Sequence, residues 1–102
     1  MRSTEERRAH ARQICRRVTA RINAAAPREL GRWDPAWEAV EEPSGVFLEA
    51  LDAWVAQDSP EGRERVRAAA EALVRAWEEA GALYAALFTA PHEGQGVTAP
   101  CE

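Results

Sequence analysis

Residues 59–89 read SPEGRERVRAAAEALVRAWEEAGALYAALFT, and this stretch decides the fold. Val66, Ala70, Leu73, Trp77, Ala80, Tyr84 and Leu87 recur in alternating steps of four and three, the repeat of a helix with one buried stripe. Arg63 aside, the charged residues from Glu61 to Glu79 fall on the opposite side. Glu61 with Arg65, and Glu71 with Arg75, stand four apart in the order that favours pairing along a helix. Either Asp58 or Ser59 suits the cap, and Glu61 occupies the first turn, where the helix dipole favours an acid. Gly81 costs about 1 kcal/mol relative to alanine, yet the apolar phase continues across it. A helix over 59–89 is therefore expected, with Gly81 as a weak point or slight bend and a helix end there as the alternative.

Moving outward, the N-terminal segment carries a second helical pattern. Ser3 followed by Glu6 forms a capping box, and Pro27 stops the segment after three alanines. Ala11, Ile14, Cys15, Val18, Ile22 and Ala25 make one apolar stripe. Arg8, Arg12 and Arg16 form a ladder along one flank, with Arg17 and Arg21 on the other. Like charges at that spacing repel, so this helix calls for an anion nearby. Residues 27–32 read as a connector. Asp34-Pro35 then suggests a cap and a proline at the first helical position, opening a short helix with Trp33, Trp37 and Val40 on one side that ends at Pro43. Ser44 would cap a further helix, with Phe47, Leu48, Leu51, Trp54 and Val55 as its apolar face and Glu49 and Asp52 as its polar one. From Pro91 the chain holds proline, glycine and small polar residues, the pattern of a flexible tail over 91–102. No segment alternates like a strand. The expectation is an all-α fold, a small antiparallel helical bundle of three main helices plus one short helix. It forms a single domain over 1–90, with helices at about 4–26, 34–42, 44–57 and 59–89.

Composition narrows the functional classes. Of 102 residues 46% are hydrophobic, but 22 of these are alanine, which leaves a thin core and makes support from a second copy or a partner plausible. The longest apolar run, Ala82 to Phe88, falls far short of the roughly twenty residues a membrane span needs. Met1-Arg2-Ser3-Thr4-Glu5-Glu6 lacks the apolar stretch of a secretory leader. A cytoplasmic location follows as the expectation, with Cys15 and Cys101 both reduced. All 13 basic residues are arginine, most simply a consequence of a GC-rich gene. Their placement is more telling: residues 1–32 carry nine arginines and three acids, a net of +6, whereas residues 33–102 carry four arginines and fourteen acids, a net of −10.

Catalytic machinery is not expected. His10 lies on the side of the first helix and is read as solvated, and His92 lies in the tail. Neither stands near an activated nucleophile. His10 and Cys15, five apart, do not share a helical face, so no metal site is expected from them. Gly94-Gln95-Gly96 opens no helix and has no lysine, so no phosphate cradle or other cofactor site is read. Glu38, Glu41 and Glu42 followed by Glu49 and Asp52 form an ExxEE…ExxD pattern. It resembles the magnesium-binding signature of all-α nucleotide pyrophosphohydrolases, in which glutamates from two neighbouring helices hold the cation. The gap between the halves is too short for that family and Pro43 breaks it, so a solvated acidic face is the preferred reading.

Trp54 and Trp77 sit within apolar stripes and are expected in the core. Trp33 and Trp37 are candidates for aromatic partner contact, with burial against the bundle as the favoured alternative. Arg8, Arg12, Arg16, Arg17 and Arg21 are candidates for partner or phosphate contact, unless acids of the same chain neutralise them. The expected function is a non-catalytic helical protein–protein interaction module, self-associating or a subunit of a larger assembly. The alternative is a nucleic-acid-associated accessory protein, a small helical subunit of a nucleoprotein complex using the arginine-rich first helix. A divalent-metal-dependent nucleotide hydrolase comes third. Neither membrane binding nor a small-molecule substrate is expected.

Overall fold

Ser3 opens helix α1 (Thr4–Ala25) through a reciprocal pair of bonds. The Glu6 amide donates to Ser3 Oγ at 3.1 Å, and the Ser3 amide donates to Glu6 Oε1 at 2.8 Å. Two otherwise orphaned amides of the first turn are thereby satisfied. The computed structural model describes residues 3–26 and 28–88. It is all-helical, with no strand among those residues. After α1 come a 3-10 turn (Arg28–Arg32), helix α2 (Asp34–Ala56) and helix α3 (Pro60–Phe88). The tail expected over 91–102 and the reading of Cys101 lie outside the described residues.

The main departure from expectation is at Pro43. The segments expected at 34–42 and 44–57 form one continuous helix, with Pro43 inside it and Ser44 in mid-helix instead of at a cap. Among the described residues there are therefore three helices, with a 3-10 turn in place of a fourth, short helix. An interior proline lacks the amide that would bond the Ala39 carbonyl and costs about 3 kcal/mol. Burial offsets that cost: Ala36 and Val40 before the proline share one buried stripe with Phe47, Leu51 and Trp54 after it. Only an unbroken helix keeps those five on one face. Leu48, expected on that face, is exposed. Trp33, not Asp34, holds the cap position of α2, with no side-chain hydrogen bond to the first turn.

Helix α3 runs through Gly81, which is buried. Its start is capped by Ser59, whose Oγ accepts from the Gly62 amide at 2.9 Å, while Asp58 accepts from Trp54 Nε1 at 3.0 Å. The two candidate caps thus have separate tasks. Helices α2 and α3 share the most extensive contact. Trp33 packs on Tyr84, Trp37 on Trp77, and Trp54 against Gly62, so the start of α2 lies beside the end of α3. Helix α1 touches this pair at fewer points. From it Val18 is buried in the core, and Ile14, Cys15 and Ile22 pack half-buried against it. Cys15 is a free thiol.

The presumed connector contributes to the core as well. Leu30 in the 3-10 turn is wholly buried, 0% exposed, although nothing in its local pattern marks it as interior. No helix among the described residues is long and apolar enough to cross a membrane.

Candidate interaction surface

On α1 the arginines separate by flank. Arg8, Arg12 and Arg16 are exposed, and among the described residues only Arg8 of these approaches an acid, Glu5 at 3.8 Å one turn away. Arg17 and Arg21, on the other flank, border a groove between α1 and α3. Arg21 spans it: its two terminal nitrogens donate to the Glu71 carboxylate at 2.8 and 3.1 Å. Among the described residues this is the one ion pair that joins two helices. Glu71 therefore pairs with Arg21 and not, as its spacing suggested, with Arg75. The Arg21 hydrogen bond and charge hold the Glu71 carboxyl below its ordinary range, with Arg67 and Arg75 adding to the effect. Glu64 is lowered in the same way by the hydrogen bond from Arg67, its neighbour on α3. No ion pair forms between Glu61 and Arg65.

The groove itself was not legible beforehand. Its floor is Ile14 and Val18 of α1, Trp54 of α2, and Val66 and Ala70 of α3, and its volume is about 410 Å³. Its rim combines Arg17 and Arg21 with Arg63 and Arg67 across from them. Arg63 was the one charge out of phase with the polar face of α3, and that was the available signal. His10, read as solvated, is half-buried and stands edge-on to Trp54, with ring centres 5.4 Å apart at 80°.

Arg7 makes an inter-helix contact that pattern reading missed. Its side chain is 7% exposed, and its Nε donates to the Val55 carbonyl at 3.0 Å. That carbonyl belongs to the last turn of α2, which has no basic residue of its own. Arg7 supplies from α1 the cation that the C-terminal end of a helix favours. Arg7→Ala is expected to destabilise the protein by about 2 kcal/mol, because a part-buried carbonyl loses a charged donor and the packing of the buried Arg7 stem is lost. Urea denaturation measures this, and a loss below about 0.5 kcal/mol would show the contact to be incidental.

At the opposite end of the α2–α3 pair the aromatic candidates behave differently from each other. Trp33 is half-buried, edge-on to Tyr84 and Phe88 at 5.5 and 5.8 Å. Trp37 is 53% exposed although its ring meets Trp77 edge-on and its Nε1 donates to the Gly31 carbonyl at 2.6 Å. Leu83, Leu87 and Phe88 are exposed nearby on the last turns of α3. Trp54 and Trp77 are buried, as expected.

The acidic residues Asp34, Glu38, Glu41, Glu42, Glu49 and Asp52 are all exposed on α2. The two halves of the ExxEE…ExxD pattern lie on this single helix instead of on two neighbouring ones, and among the described residues no three histidine, cysteine or acidic side chains converge on one point. Comparison with protein-family models, curated proteins and solved structures gives no match.

Proposed function

We propose that the chain is an antiparallel helical bundle that serves as a non-catalytic protein–protein interaction module in the cytoplasm, self-associating through its oppositely charged helices. One observation carries the reading: among the described residues the charge separation remains largely uncompensated. Arg12, Arg16 and Arg17 are exposed and have no acidic partner among the described residues, while α2 exposes six acids and contains no basic residue. A second copy brings the missing counter-charge to each helix at once, and such complementarity steers association. Exposed Trp37, Leu83, Leu87 and Phe88 add apolar contact area of the kind that anchors interfaces.

Sedimentation of the intact chain tests this. At low ionic strength a mass above the 11.3 kDa of one chain is expected, falling towards that value as salt rises from about 0.01 to about 1 M and the screening length shrinks tenfold. Arg12→Glu with Arg16→Glu should shift the equilibrium to the monomer, and mixing with a chain carrying Glu38→Arg and Glu42→Arg should restore association. A monomer at every concentration and salt would overturn self-association.

A second reading, a nucleic-acid-associated accessory protein, is favoured by the exposed line Arg8, Arg12 and Arg16. Its mark would be a mobility shift that fades steeply with salt. The acids of α2 compete with phosphates for the same arginines, which places this reading second.

A further inference from the structure

The α1–α3 groove shares Arg17 with the exposed basic face of α1, but neither Arg12 nor Arg16 lines it. Its chemistry is divided. Below lie Ile14, Val18, Trp54, Val66 and Ala70, and above stand four guanidinium groups. Arg21 and Arg67 have carboxylate partners in Glu71 and Glu64. Arg17 on one wall and Arg63 on the other are exposed and have none among the described residues. An apolar floor under unpaired guanidinium groups suits a ligand with a hydrocarbon body and one carboxylate, because guanidinium binds carboxylate through two parallel hydrogen bonds and the floor removes methylenes from water.

The dimensions select a small ligand over a helix of another protein. The Arg21–Glu71 bridge runs from wall to wall, and a helix about 10 Å wide cannot lie along the groove without breaking it. A single acyl chain is narrow enough to share that space. The groove's volume of about 410 Å³ also falls within the range of small-molecule sites, about 300–1,000 Å³. We infer that the groove binds a small amphipathic monocarboxylate, an aliphatic or aryl-aliphatic acid, with Arg17 and Arg63 holding the carboxylate and the floor residues its hydrocarbon body. The sequence offers no hint of such a ligand, because the site exists only where α1 lies beside α3.

Calorimetric titration of the full chain with decanoate, acetate and decyltrimethylammonium tests the inference. Decanoate should saturate one site per chain with a dissociation constant of about 1 mM or tighter, whereas acetate lacks the body and the ammonium lacks the charge, and neither should saturate. Arg17→Gln with Arg63→Gln should weaken decanoate by about tenfold or more, with the helical circular dichroism unchanged because both side chains are exposed. Arg12→Gln with Arg16→Gln should leave decanoate binding intact, so failure of self-association and failure of the groove are distinguishable. Absence of saturable decanoate binding, equal binding of the cationic amphiphile, or undiminished affinity in the Arg17 and Arg63 variant would each overturn the inference.

Discussion

Trp54→Ala is expected to lower the stability of the protein by about 3–5 kcal/mol and its thermal midpoint by about 15–30 °C. Trp54 is 2% exposed and stands where all three helices meet. The His10 ring of α1 lies edge-on to it, and a Cβ added at Gly62 of α3 would come within 3.6 Å of its ring. Its Nε1 donates to Asp58 in the link between α2 and α3. Alanine removes the ring from all of these at once, in a core where alanine already fills many positions and little else can move in. A total stability of about 5–15 kcal/mol is typical of such a domain, so the variant should be near its limit at room temperature. Trp54→Phe separates the two contributions: it keeps an aromatic ring, loses the bond to Asp58, and should cost about 1–2 kcal/mol. Urea and thermal denaturation followed by circular dichroism measure both variants. A cost below about 1 kcal/mol for Trp54→Ala would mean that α1 does not pack on the α2–α3 pair as described.

Leu30→Ala is expected to cost about 2–4 kcal/mol, whereas Leu87→Ala should cost less than about 0.5 kcal/mol. Their sequence patterns suggest the reverse order. Leu87 belongs to the heptad-like stripe of the C-terminal helix, and Leu30 to a short connector. In the folded protein Leu87 is 57% exposed, while Leu30 is wholly buried. Leu30 also lines a hollow shared with Ile22, Ala26, Trp37 and Trp77, so part of the space left by truncation is open to relaxation, and the cost falls below the upper end for a leucine. Matched urea denaturation of the two variants measures the difference. Equal effects would contradict the burial of the 3-10 turn.

Much of the molecule was legible in its residues. The Ser3–Glu6 box, the start of α3, the burial of Trp54 and Trp77, and the separation of basic from acidic helices were read from residues three and four apart or from simple counts of charge. Helical neighbours lie at those spacings whatever the rest of the chain does. Where the reading failed, the deciding contact was distant in sequence. Pro43 carries the usual signal of a helix end, but the helix continues because Val40 and Phe47 are buried on one face. Glu71 has a suitable partner four residues on, yet it bonds to Arg21, fifty residues away.

Sequence alone determined that this chain is helical, that α1 opens on the Ser3–Glu6 box and how its charge is polarised, because those properties follow from local periodicity and composition. Tertiary structure decided that α2 passes through its proline, that Leu30 joins the core, that Arg7 closes the end of another helix, and that Arg17 and Arg63 border one groove with an apolar floor. Each of those depends on which helices come to lie side by side, and the free energy of that choice comes from burial shared between segments.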